Sequence, residues 1–280
     1  MKVIRIADEF RRWCADGRDN GKSLGFVPTM GALHAGHMSL VKAARDANDL
    51  VAVSVFVNPT QFNNPEDLRT YPRTEEADLA LLEAAGVDVA FVPSVDQMYP
   101  EPDTRVFDLG PVAEVMEGKM RPGHFNGVAQ VVSLLFRMAM PTRAYFGEKD
   151  FQQIAVIRRM VELEGFSLEI VPVPIKREDD GLAMSSRNVR LTPAMRDAAP
   201  AIHRVLSQAV DYARSHTPAE TTAMVEREIN AVDGLETEYF QIVDGTTCLP
   251  ISDWAESAAP VGCVTVYAGD VRLIDNIKFI

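Results

Sequence analysis

Along the first part of the 280-residue chain the hydrophobic pattern switches repeatedly between two periods. Residues 23–29 (SLGFVPT) and 50–57 (LVAVSVFV) are nearly continuous apolar runs that meet proline, and they predict buried parallel strands. Between them Leu40, Val41, Ala44 and Ala47 recur at helical spacing. Residues 75–86 predict a helix that stops at Gly86. Residues 87–93 predict a strand, 127–140 a long apolar helix, 143–147 a short strand, 151–165 a helix and 167–174 another strand. This repeated β-α-β order predicts an α/β, Rossmann-like parallel sheet with helices on both faces. In such a sheet ligands lie at the carboxyl ends of the strands.

The pattern changes after Pro174. Residues 193–232 predict two helices, for which Thr192-Pro193 and Thr217-Pro218 each supply an N-cap and a proline at the first helical position. Three strands follow, at 237–244, 261–269 and 271–280, with few helical residues between them. The expected organisation is a Rossmann-like domain over 1–175 and a smaller α+β C-terminal domain over 176–280.

Composition narrows the partners. With 47% hydrophobic and 24% charged residues, the chain is expected to fold as an ordinary soluble protein. Its formal net charge of -12, from 28 basic and 40 acidic side chains, argues against a nucleic-acid partner. A local basic pocket for a small anion stays compatible with that charge. Cys14, Cys248 and Cys263 form no Cys-x-x-Cys pair, so neither zinc nor a disulfide framework is indicated. The segment MKVIRIADEFRRW is charged throughout, unlike a signal peptide, and no apolar run reaches membrane-spanning length. A cytoplasmic location, with no membrane partner, is the expectation.

The candidate chemistry begins at PTMGALHAGHMSLVKAARDAND (28–49), where a strand gives way to a helix. A helix N-terminus offers unpaired N–H groups and a partial positive charge, so it attracts phosphate. Gly31 and Gly36 allow close approach to the backbone. His34 and His37 can donate to phosphate oxygens and carry charge near neutral pH. No Walker loop or G-x-G-x-x-G occurs. HAGH instead resembles the His-x-Gly-His signature of nucleotidyltransferases and class I aminoacyl-tRNA synthetases.

Further stretches lie where the same fold would place a ligand. DDGLAMSSRNVRLT (179–192) offers Ser185, Ser186 and the planar fork of Arg187. YFGEKDFQQ (145–153) offers Lys149, Asp150 and Gln153, with Gln152 read as an exposed helix residue. VFVNPTQF (55–62) offers Gln61 to a carboxylate or hydroxyl, while Asn58 shapes the turn before Pro59. MRPGHFNGV (120–128) carries Arg121 and His124 in a loop with the character of a mobile lid.

In order and spacing, PTMGALHAGH, VFVNPTQF, YPRT, RPGHFNGV, FGEKDFQQ and DGLAMSSRN resemble the pantothenate synthetase (pantoate–β-alanine ligase) family from about Phe26 to Leu191. Departures fall at Ala35, Asn63 and Gln130, the last expected to alter the pocket wall. The resemblance implies ATP-dependent condensation of (R)-pantoate with β-alanine through a pantoyl adenylate, releasing AMP and pyrophosphate. It implies an ATP site formed by Met30, Gly31, Ala32, Leu33, His34, Ala35, Gly36 and His37. Gly147, Glu148, Lys149, Asp150, Lys176, Met184, Ser185, Ser186 and Arg187 would complete that site. Gln61 and Gln153 would hold pantoate, and Gln61 would border β-alanine. His34, His37, Lys149 and Arg187 would carry the chemistry, with His37 as proton donor where one is needed. Mg²⁺ would bridge phosphate oxygens near Asp78, and the assembly would be a homodimer. The alternatives are another adenylyltransferase of the same signature and a nucleotide-binding protein without turnover.

Overall fold

The computed structural model describes residues 1–279. Its first part runs β1 (Lys2–Ile4), α1 (Ala7–Asp19), β2 (Leu24–Thr29), α2 (Ala35–Ala47), β3 (Leu50–Val55), α3 (Pro65–Thr70), α4 (Glu75–Ala84) and β4 (Val89–Phe91). It continues with α5 (Val95–Met98), α6 (Met116–Met120), α7 (His124–Ala139), β5 (Arg143–Gly147), α8 (Phe151–Glu164) and β6 (Glu169–Val173). These strands form one parallel sheet in the order β1-β4-β3-β2-β5-β6.

Side chains alternate across this sheet, because successive Cβ atoms of a strand point to opposite faces. Phe26, Ala52, Phe91 and Ala144 join the core under α1, α7 and α8. Val27, Val51, Val53, Ala90 and Tyr145 join the core under α2 and α4. Both faces are therefore covered, which explains the continuous apolar runs in the sequence. From β2 the chain moves to β3 on one side, while β5 pairs with β2 on the other. The order thus reverses between β2 and β5, and the crevice at their carboxyl ends, Thr29 and Gly147, is where such a sheet binds ligands.

The second part runs α9 (Pro193–Ala198), α10 (Ala201–Tyr212), α11 (Pro218–Asn230), β7 (Leu235–Asp244), β8 (Pro260–Ala268) and β9 (Val271–Lys278). Its three strands form an antiparallel sheet in the order β7-β8-β9. α10 and α11 cover one face, with Leu206, Val225, Ile229, Phe240 and Val266 in a core of their own. Thr192 and Thr217 cap α9 and α11 by accepting from Met195 N and Glu220 N.

Several expectations need correction. The segment 193–216 is two helices, not one, because Pro200 cannot continue the hydrogen-bond ladder and instead starts α10. The N-terminal segment, for which no element is predicted, is a strand and a helix, with Ala7, Phe10 and Cys14 buried at helical spacing. The last predicted strand ends at Lys278, and Ile280 lies outside the described residues. Gln130 does not wall a pocket. It is buried in α7 and donates to the carbonyls of Asp103 (2.9 Å) and Arg105 (2.8 Å). Gln152 is buried as well, accepting from Glu117 N (3.0 Å) and donating to Val112 O and Val115 O (both 2.8 Å).

Polar clips fasten the second sheet to the segments around it. Arg177 grips Asp275 with bonds of 2.7 and 3.0 Å. Asn276 Nδ2 donates to the carbonyls of Glu148 (2.8 Å) and Lys149 (3.1 Å). Glu117 accepts two bonds of 2.7 Å from Arg272, one of 2.8 Å from Tyr239 and one of 3.1 Å from Thr265. Burial pushes the Glu117 carboxyl up, but the Arg272 guanidinium and the other partners outweigh it and hold it down at about 2.

Candidate active site

The turn after β2 is built around a buried carboxylate. Gly31 and Ala32 adopt φ of 78° and 49°, a left-handed turn that costs glycine little. A Cβ on Gly31 would stand 3.0 Å from Asp78 Oδ2 and 3.1 Å from Val55 Cγ1. Asp78, 1% exposed, accepts from Ala32 N (2.9 Å), Leu33 N (2.8 Å) and Thr74 Oγ1 (3.1 Å). It therefore braces the turn, with three hydrogen bonds to the protein on its two oxygens. Gly31 N donates to Thr29 Oγ1 (3.2 Å).

The histidines complete the turn. His34 caps α2, its Nδ1 accepting from Gly36 N (3.1 Å). His37 Nδ1 accepts from His34 N (3.3 Å), closing a reciprocal capping box. Gly36 is needed here because a Cβ would stand 2.8 Å from the His34 ring. The amides of Gly31, Ala32, Leu33, His34 and Gly36 are thus used inside the turn, which corrects the expected backbone cradle. With both Nδ1 atoms accepting, each neutral ring carries its proton on Nε2 and offers that N–H outward.

Neutrality is enforced. Burial, reinforced by His37 and Lys149, pushes His34 down to about 3. Burial and Lys149 push His37 down to about 4. In the nucleotide-free protein this runs against the expectation that the rings carry charge near neutral pH. They are hydrogen-bond donors.

Gln61 is held from two directions. Its Oε1 accepts from Asn58 Nδ2 (3.1 Å), and its Nε2 lies 3.1 Å from the sulfur of Met30. Asn58 does more than shape a turn, since it also donates to Gly127 O (3.2 Å) and accepts from Tyr99 (2.9 Å). The Gln61 carbonyl accepts from His124 Nδ1 (2.8 Å), leaving Nε2 to accept from Arg121 (3.1 Å). Burial and Arg121 push His124 down to about 4, against the pull of the Gln61 carbonyl. His124 is buried at the start of α7 and Arg121 is packed beside it, so in this conformation the pair braces the Gln61 carbonyl.

The serine–arginine loop is held by charge. Arg187 donates to Asp67 Oδ2 (2.7 Å) and Arg190 to Asp67 Oδ1 (3.1 Å). Tyr71 lies under the Arg187 guanidinium at 5.9 Å, and its hydroxyl is 3.3 Å from Ser186 Oγ. Burial raises the Asp67 carboxyl, but Arg187 and Arg190 together hold it below its ordinary value.

These pieces face an inner cavity of about 210 Å³ at the β2–β5 crevice. Met30, His34, Gly36, His37, Gln61, Gly147, Lys149, Asp150, Gln153, Lys176, Met184, Ser185, Ser186 and Arg187 line it. Gly31, Ala32, Leu33 and Ala35 do not, nor does Glu148, whose carboxylate pairs with Lys278 at 2.8 Å. An outer cavity of about 350 Å³ shares Lys149, Asp150, Gln153, Ser185 and Arg187, and adds Arg121 and His124. Pattern reading missed Asp67, Asp78 as a brace, and Asn276, which fixes the Lys149 backbone. No local signal announces them, because each acts on a residue far away in the chain.

Known proteins resemble this chain over its whole length. A family model described as Pantoate-beta-alanine ligase matches residues 2–278. A pantothenate synthetase of Porphyromonas gingivalis is 57% identical over 279 residues, covering 100% of this chain and 99% of that protein. A crystal structure of a Thermus thermophilus pantothenate synthetase superposes with a TM-score of 0.93 at 47% identity, covering 99% of both chains. A Francisella tularensis pantoate-beta-alanine ligase, complexed with beta-gamma ATP and beta-alanine, superposes with a TM-score of 0.83 at 36% identity, covering 99% of this chain and 97% of that one.

Proposed function

The chain belongs to the pantoate–β-alanine ligase family, and from that premise we propose how its inner cavity activates a carboxylate. The reaction joins (R)-pantoate to β-alanine with ATP, giving pantothenate, AMP and pyrophosphate. A carboxylate is a poor electrophile. Attack of a pantoate oxygen on the α-phosphorus breaks the bond to the bridging oxygen, releases pyrophosphate and leaves an acyl adenylate. Attack of the β-alanine amine on the acyl carbon then releases AMP, so one hard step becomes two easier ones.

The observation that carries this reading is the pair of neutral imidazole Nε2–H donors facing the same cavity as Gln61 and Lys149. His34 and His37 donate to the phosphates as charge develops on them. Lys149 and Arg187 bind phosphate as cations. Gln61 and Gln153 hold pantoate, whose two methyl groups suit the apolar wall of Val128, Val131 and Leu135 from α7. Asp150 takes the ribose, and Lys176 and Met184 border the adenine end. The unit 176–280 brings Ser185 to Arg187 over the β- and γ-phosphates.

Mg²⁺ fits this donor set as a companion of the nucleotide. Among the described residues no cluster of three or more His, Cys, Asp or Glu side chains is arranged to hold a metal. A magnesium ion that arrived with the nucleotide would need no such cage. When bound it supplies charge neutralisation on the phosphates. The proposed assembly is a homodimer in the cytoplasm. Among the described residues no helix is long and apolar enough to cross a membrane.

The test is exchange of labelled pyrophosphate into ATP with Mg²⁺ and (R)-pantoate, leaving out β-alanine. Pantoate-dependent exchange is the expected result. Synthesis without exchange would replace the adenylate by a concerted or ordered step. Neither exchange nor synthesis would leave an adenylyltransferase of other specificity or a nucleotide binder.

A further inference from the structure

Most cations around the two cavities are matched by carboxylates. Arg272 is taken by Glu117 and Glu238, Arg187 and Arg190 share Asp67, and Lys278 pairs with Glu148. Arg121 differs. Its nearest carboxylate oxygen, on Glu117, is 3.6 Å away, and both Glu117 oxygens already accept shorter bonds from Arg272. Its other contacts are His124 Nε2 at 3.1 Å and the Gln61 carbonyl at 3.5 Å. Five guanidinium N–H groups are available, and these partners leave several free. The side chain is only 23% exposed and faces the outer cavity. Burial pushes its pKa down, Glu117 opposes this, and Arg187 and Arg272 push it down further. Carboxylates line this cavity, but none gives Arg121 a short bond of its own: Glu117 stays 3.6 Å away and is held by Arg272.

β-Alanine brings a carboxylate about 5 Å from the amine that must attack, a span of four covalent bonds. That carboxylate needs a cation outside the phosphate cluster, within reach of the acyl group. Arg121 stands against the main chain of Gln61, the proposed pantoate holder. We propose that Arg121 anchors the carboxylate of β-alanine, seating the amine acceptor in the outer cavity with its nitrogen towards the acyl adenylate. This inference rests on the ligase reading above. A guanidinium is suited to the role because its planar fork matches a carboxylate bidentately.

The experiment compares kcat/KM for β-alanine with that for 3-aminopropanamide, an acceptor of the same length without the charge. The full chain is used at saturating ATP, Mg²⁺ and (R)-pantoate. The wild type is expected to favour β-alanine by ~10–100-fold, the range of one charge-assisted contact. In Arg121→Gln that preference is expected to collapse towards unity through loss of β-alanine turnover alone, and Arg121→Lys to recover part of it. If Arg121→Gln is unstable, the intermediate ratio in Arg121→Lys carries the test. An equal drop for both amines would show that Arg121 acts only by bracing Gln61 and would overturn the proposal. So would an unchanged ratio with a raised KM for pyrophosphate in exchange, which would make Arg121 a phosphate ligand. A wild type with neither pantoate-dependent exchange nor pantothenate synthesis would overturn the ligase reading itself, and the Arg121 anchor with it.

Discussion

Two stretches of the chain face the same inner cavity with opposite construction. The turn from Thr29 to His37 is rigid and neutral: its amides bond within the turn or to Asp78, and its histidines present uncharged N–H donors. The loop from Met184 to Arg190 is charged and is held from outside by Asp67 and Tyr71 of the 65–71 segment. Neutral donors cost far less to bury than charges do, so the turn keeps its shape with no ligand and no counterion. Buried or half-buried guanidinium groups need a counter-charge until phosphate arrives. Under the proposed reaction, one stretch is preorganised for the transition state and the other exchanges partners.

The largest effect is expected at the turn. His37→Ala removes the acceptor that fixes His34 N, and with it the donor proposed for the phosphates. Pantoate-dependent exchange is expected to fall by ~10²–10³-fold while circular dichroism stays native, the usual loss for one preorganised donor. A loss of less than about threefold would mean that the turn is no more than a scaffold, and the contrast with the loop would disappear.

A smaller effect is expected with pH. His34, His37 and His124 are pushed down to about 3, 4 and 4. Between pH 6.5 and about 4 the unfolded chain binds protons on these rings and the native chain does not. Stability therefore rises with pH through this window, is fully present above 6.5, and is lost as pH falls towards 4. The slope is at most about 1.4 kcal/mol per pH unit for each histidine. Urea midpoints at pH 7, 6 and 5 measure it, and His124→Gln should flatten the slope. Midpoints that do not move between pH 7 and 5 would show that the rings are charged and solvated, which would remove the neutral character of the turn.

How much of this was legible in the sequence follows from how local each signal is. The strand–turn–helix of the histidines was legible because its glycines, cap and imidazoles are contiguous, and the β2–β5 crevice because apolar runs and helical spacing mark the strands and crossovers. The inner lining, from Met30 to Arg187, came from short motifs whose order could be recognised. The supporting residues were not legible. Asp78 sits in the first turn of α4, where an acidic residue ordinarily faces water, and only the fold turns it under Ala32 and Leu33. Asn276 reaches the Lys149 carbonyl across 127 positions. Gln152 looks like a surface glutamine until α6 and the segment before it close over it. Pro200 was in plain view, but the apolar spacing on both sides of it ran on as if unbroken.

The smallest effect is expected at Asp67, and it tests the loop side of the contrast. In the nucleotide-free protein Asp67 occupies the guanidinium groups of Arg187 and Arg190, the former proposed for phosphate. A carboxylate that fills that place must be displaced for ATP to enter it. Asp67 and both arginines are partly exposed, so each pair is worth only ~0.2–1 kcal/mol. Asp67→Asn keeps the shape and removes the charge. ATP·Mg²⁺ is then expected to bind about two- to fivefold more tightly by calorimetry. Amides of the 184–190 loop should exchange hydrogen faster than wild type without nucleotide and equally fast with it. Weaker ATP binding in Asp67→Asn would reverse the assignment: Asp67 would be orienting the arginines for phosphate, and the loop would be as preorganised as the turn.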